Sequence, residues 1–130
     1  MRVLQPANWP RPRGYSNGIE AEGRMVFVAG QIGWDETGKF QSADFAVQFR
    51  QALLNTLAVL KEAAAQPEHV VRMTWYVTAR EDYTAALPAL GAAWKELMGR
   101  NYPTMAVIMV SGLVEPEAKI EIETTAVVPH

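Results

Sequence analysis

The chain has 130 residues, no cysteine and a formal net charge of −2 at pH 7. That length suits one domain, with about two-thirds of the unfolded surface buried on folding. The absence of cysteine excludes disulfides, thiolate nucleophiles and thiolate metal sites, and the slightly acidic balance leaves no global basic field for nucleic acid. Residues 1–13 hold Pro6, Pro10, Pro12, Arg11 and Arg13, and are expected to be irregular, packed at most through Trp9. They contain no apolar signal core, and no run approaches the ~18 apolar residues of a membrane span, so a soluble cytoplasmic protein is expected.

Gly14-Tyr15-Ser16-Asn17-Gly18 is turn chemistry. Ile19–Ala21 reads as a short strand, and Arg24–Ile32 as a strong one ending in Gly30-Gln31. A glycine there serves either close approach by a ligand or another chain, or a bulge at a sheet edge. A loop follows over 33–41, with Trp34 as its one large apolar residue. Ser42 or Asp44 can cap a helix over about 43–65, where Phe45, Phe49, Leu53, Leu57 and Leu60 form a core-facing stripe. Gln48 falls off that stripe, and Pro67 stops the helix.

Residues 69–78 read as the next strand. Val71, Met73, Trp75 and Val77 share one face; Val70, Arg72, Thr74, Tyr76 and Thr78 share the other. Asp82 can cap a second helix reaching Gly99, with Leu87, Leu90, Ala93, Trp94 and Leu97 as apolar positions. Pro88 means either a kink or a helix whose regular part begins there. Residues 101–128 read as a terminal hairpin: Met105–Leu113 as a strand buried on both faces, a turn at 114–117, then an alternating strand from Lys119. Ile120, Ile122, Thr124 and Ala126 share one face of that last strand, and Glu121 and Glu123 the other.

The fold class is therefore α/β (α+β), in the order β-β-α-β-α-β-β, with two helices on one face of a single mixed sheet spanning residues 1–130. The uncovered face, expected to carry Val, Trp, Met and Ile, calls for a second copy of the chain.

Ordinary catalytic sets are missing. His69 and His130 lack metal-ligand spacing, no phosphate loop or nucleophile elbow is present, and Ser16 and Ser111 have no evident base. What remains is a small polar set: Tyr15, Ser16, Gln31, Arg72, Glu121 and Glu123. GYSNG at 14–18, VFVAGQI at 26–32, QFRQALLNTLAVL at 48–60, VVRMTWYVT at 70–78, Tyr102-Pro103 and KIEIETTAV at 119–127 together resemble the RidA (YjgF, L-PSP) family. The resemblance runs from Gly14 to Val128. It implies a chorismate-mutase-like fold of the bacillus type, and a homotrimer with clefts between subunits. It also implies hydrolysis of reactive enamines or imines to 2-oxo acids and ammonia, without cofactor or metal.

Carried over residue by residue, the resemblance places the catalytic carboxylate at Glu121 and the cleft tyrosine at Tyr15. Gly30, Gln31, Met105, Val107, Trp34 and Arg72 would contact substrate. The family's carboxylate-gripping arginine falls on Met105, which offers neither charge nor donor. A standard 2-imino-acid deaminase is therefore not expected, unless Arg72 or an N-terminal arginine substitutes. Branches without this arginine resemble 2-aminomuconate deaminase. Alternatives are a non-catalytic small-molecule-binding or interaction trimer, and an endoribonuclease or translation inhibitor, which the acidic balance argues against.

Overall fold

The two longest strands in a computed structural model describing residues 1–130 are β3 (Arg24–Ile32), an apolar run interrupted by a bulge, and β6 (Ile120–Val128), which alternates strictly. The other elements are β1 (Arg2–Leu4), β2 (Gly18–Glu20), α1 (Phe45–Glu62), β4 (Val70–Val77), α2 (Arg80–Met98) and β5 (Thr104–Met109), with a 3-10 turn at Pro67–His69 before β4. The main sheet has four strands in the order β3-β6-β4-β5. β6 is antiparallel to both β3 and β4, and β5 is parallel to β4.

Three expectations are corrected here. The first 13 residues are not wholly irregular, because β1 pairs with β2 as a separate two-stranded ribbon, closed by an Arg2–Glu20 ion pair at 2.6 Å. The ribbon adjoins the β5 edge of the main sheet through a parallel bridge between Ser16 and Thr104, and the expected mixed sheet carrying two helices is present. The terminal hairpin does not exist either. α2 carries the chain across to lay β5 parallel to β4, and the 110–119 connection then returns β6 to the far side of β4. β5 is thus an edge strand with Ile108 and Met109 exposed, not a strand buried on both faces.

Helix α1 starts at Asp44, whose carboxylate accepts from the Val47 N–H at 3.1 Å; Ser42 instead accepts from the Asp44 N–H at 2.9 Å. Phe45, Phe49, Leu53 and Leu60 are buried as the stripe requires. Gln48, expected off the stripe, is buried as well. Its amide donates to the carbonyls of Ser42 and Glu117 and accepts from the Lys119 N–H at 2.8 Å, which ties α1 to the entry of β6. Helix α2 starts one turn before the expected cap: Ala79 is its N-cap, and Asp82 sits in the first turn with Glu81. It runs through Pro88, which is exposed, so the carbonyl that loses its partner faces water. Gly99, at φ 65°, ends it. Leu87, expected in the core, is 47% exposed.

The core lies between the helices and one sheet face, with Phe49, Leu53, Leu60, Met73, Val77, Ile120 and Ile122 fully buried. A register shift between Val70 and Arg72 turns Val70 toward the core in place of Val71. The Val, Trp, Met and Ile side chains expected on the uncovered face are therefore the ones beneath the helices. The uncovered face is mixed: exposed Met25 and Phe27, with Arg72, Tyr76, Glu121 and Glu123. Leu53→Ala should lower unfolding free energy by about 2–5 kcal/mol in urea titration, because the cavity it leaves is walled on all sides. A loss under about 1 kcal/mol would mean the core is not centred there.

Candidate active site

The residues singled out from the sequence fall into two groups on opposite faces of the sheet. The first lines a cavity of about 680 Å³ between α2, the edge strand β5 and the segment before β2. Tyr15 is fixed there by its neighbour: the Ser16 N–H donates to the Pro103 carbonyl at 3.0 Å, and the Ser16 hydroxyl donates to the Tyr102 carbonyl at 2.6 Å. Met105 and Val107 stand in register with Met73 and Trp75, so they share the helix-covered face. Trp75, Trp94 and Tyr102 form the aromatic wall. The two indoles are 6.0 Å apart and tilted, and Trp94 stacks on Tyr102 at 6.5 Å and 12°. Both indole nitrogens are buried without an acceptor, so the rings present faces and edges to the cavity rather than donors. Arg13, Lys95 and Arg100 complete the lining, which contains no acidic residue.

The second group lies on the uncovered face. Glu121 is half-buried and stands in register with Tyr76. The Glu121 carboxylate packs against Gly30 so closely that a Cβ at residue 30 would lie 2.7 Å from its Cδ. The strand is also bulged there, between Val28 and Gln31, so the bulge expected of this glycine is present, and what approaches it closely is the chain's own Glu121. Glu123 is engaged: the Tyr76 hydroxyl donates to it at 2.5 Å, and that bond pushes the phenol's ionisation above its usual range. Glu121 takes part in neither ion pair of the chain. Arg72 borders a groove with Phe27, Thr74 and Glu123, away from the cavity that holds Met105.

Two expected contacts belong to neither group. The Gln31 amide turns back to donate to the Ala29 carbonyl at 3.0 Å. Trp34 packs on Phe40 at 5.9 Å, in a loop pinned by Asp35. Asp35 accepts from Thr37, Lys39 and Gln41, and these bonds, those from Thr37 foremost, hold its carboxyl down to about 2. His69 is occupied as well, its Nδ1 accepting from the Gln66 N–H at 2.9 Å. No three His, Cys, Asp or Glu side chains converge as a metal site, and no helix is long and apolar enough to cross a membrane.

Sequence reading misses Lys95, Arg100, Trp94 and Tyr102 as site residues and anticipates Arg13 only as an unspecified N-terminal arginine. Trp94 reads from the sequence as core, which it also is, and Tyr102 only as part of a family landmark. The three cations are far apart in sequence and carry no motif. The one available signal is a count: α2 has more apolar positions than one stripe against the sheet can bury.

This arrangement has close counterparts. The chain is 33% identical to a RutC family protein of Pyrococcus horikoshii, over 95% of both chains. It is 30% identical to a human protein named 2-iminobutanoate/2-iminopropanoate deaminase, over 97% of this chain and 89% of that one. Its fold superposes on the Rid family protein YyfB of Yersinia pestis, described as of unknown function, with a TM-score of 0.86 and 33% identity over 98% of both chains. The family model described as Endoribonuclease L-PSP matches residues 8–128, so nearly the whole sheet, both helices and both half-sites fall within it, and the chain belongs to that family, the RidA/YjgF proteins.

Proposed function

We propose that the protein hydrolyses a reactive imine or enamine in clefts between the subunits of a homotrimer, and that it does so in the cytoplasm. The observation that carries this reading is the split site. Tyr15, Met105 and Val107 line a cavity on one face, whereas Glu121 and Gly30 lie on the other, so a second copy is needed to bring a carboxylate to the cavity. The exposed Met25 and Phe27, on the same sheet face as Glu121, are apolar surface that such a contact would bury.

In this reading Glu121 takes a proton from water as the oxygen attacks the C=N carbon. It returns that proton to the nitrogen, giving a carbinolamine, then takes the carbinolamine's hydroxyl proton and delivers it to the nitrogen as the C–N bond breaks, so imine and water become a carbonyl compound and ammonia. Tyr15 supplies a hydroxyl that orients the substrate. No group beyond the side chains is required. Relatives named as deaminases support the reaction class. A second reading, a trimer that binds a small molecule without turning it over, is favoured by Met105 standing where the family resemblance implies an arginine.

Light scattering should give about three times the 14.4 kDa chain mass. A stable monomer at micromolar concentration would overturn the split-site reading. Imines generated in situ by an amino-acid oxidase from a panel of amino acids then test turnover directly. No acceleration with any of them would leave the binding trimer standing.

A further inference from the structure

We infer that the cavity's ligand is an organic acid with an aromatic or similarly large apolar body, its carboxylate held at the mouth by Arg13, Lys95 and Arg100 rather than by β5. This deepens the proposed function and rests on the cavity being the reaction site.

Four observations converge. At about 680 Å³ the cavity lies within the ~300–1,000 Å³ that encloses drug-sized ligands, whereas a short-chain acid would leave most of it filled with water. Its walls are aromatic and aliphatic, and Leu87 and Tyr102 there remain 47% and 42% exposed, so the chain itself does not complete their burial. Within one chain its charge has one sign. Arg13, Lys95 and Arg100 belong to neither of the chain's ion pairs and no carboxylate of the same chain lines the space, so three cations against the single Glu121 of a second copy leave a net attraction for an anion. Finally, Gly91 sits inside α2 facing this space, with no atom within 4 Å of where a Cβ would stand. Glycine weakens a helix interior relative to alanine, and packing within the chain does not require it here. It keeps the cavity wide.

Together these features separate the two ends of a ligand. Flat apolar surface is matched by Trp75, Trp94 and Tyr102, and the buried indole nitrogens of Trp75 and Trp94 offer no donor to a polar tail. The lining's only positive charges, two guanidinium forks and an ammonium, match the carboxylate, while tyrosine hydroxyls can add neutral hydrogen bonds. Arg72 cannot take this role within the chain, because it borders the groove on the opposite face.

Phenylpyruvate, pyruvate, the methyl ester of phenylpyruvate and inorganic phosphate are suitable probes on the full-length protein, with calorimetry as the binding readout. Phenylpyruvate should bind at least about tenfold tighter than pyruvate, its ester and phosphate. The double variant Arg13→Gln/Arg100→Gln should lose about tenfold or more of that affinity, while Arg2→Gln on the N-terminal ribbon keeps it. Gly91→Phe should retain or raise the melting temperature and abolish phenylpyruvate binding by filling the space. Equal affinity for pyruvate or for the ester would overturn the inference. So would phosphate binding as tightly as phenylpyruvate, or a stable Gly91→Phe variant that binds normally. Tight phenylpyruvate binding without turnover of its imine would leave the ligand assignment standing and sink the hydrolase reading; turnover of small imines without phenylpyruvate binding would do the reverse.

Discussion

Imines of alanine or leucine, generated by an amino-acid oxidase, should decay about two to four decades more slowly with this protein than with a relative that carries arginine at the position of Met105. Such substrates have one strong handle, the carboxylate, and one short side chain. A bidentate guanidinium supplies both charge and alignment for that handle, and a thioether supplies neither. Met105 faces the cavity beside Met73, so the environment at that point is apolar. The expected loss is about 3–5 kcal/mol of transition-state stabilisation. The cations at the mouth do not rescue a short substrate: once its carboxylate reaches them, its side chain no longer reaches the wall formed by Trp75 and Trp94. Rates equal to those of an arginine-bearing relative would show that the rim aligns small acids as well as β5 could. Met105→Arg should restore part of the rate at most, because a pocket packed around methionine holds no second partner for the guanidinium.

The second large effect belongs to Glu121. Once a substrate is in hand, Glu121→Gln should reduce turnover by about a hundredfold or more while the oligomer stays intact. Glu123→Gln should reduce it by less than about threefold. The two carboxylates share a strand face and lie roughly 7 Å apart along it, close enough to be confused from sequence alone. Their surroundings separate them. Glu123 is held by the Tyr76 hydroxyl, whereas Glu121 is backed by the one position where a missing side chain gives it room. If both glutamine variants retained parental activity, proton transfer would have to come from elsewhere in the cleft. A large loss at Glu123 alone would mean that the Tyr76 pair, and not Glu121, meets the substrate.

Local sequence determined a good deal of this protein. A period of two placed Ile120, Ile122, Thr124 and Ala126 in the core and Glu121 and Glu123 outside it. Three- and four-residue spacing marked the buried stripe of α1, and Asp44 and Gly99 marked helix ends, whereas α1 stops at Glu62, short of the expected 65 and of Pro67, with Ala64 at φ 56°. These features depend only on which way a side chain leaves its own backbone, and so they are legible one segment at a time. The landmarks that resemble the RidA family were legible for the same reason: each is a short run within one element.

Only the tertiary structure decided which elements are neighbours. The apparent hairpin of residues 101–128 became two strands with β4 between them, because pairing β5 parallel to β4 through α2 competes with local antiparallel closure and wins. That one choice puts Met105 on the helix side and Glu121 on the open side, and so splits the candidate site. It also gathers Arg13, Lys95 and Arg100, from the N-terminal segment, the last turn of α2 and the α2–β5 connection, around a single cavity. No local period encodes such a meeting. It follows from strand order and crossover, which are set by the burial of the whole sheet at once.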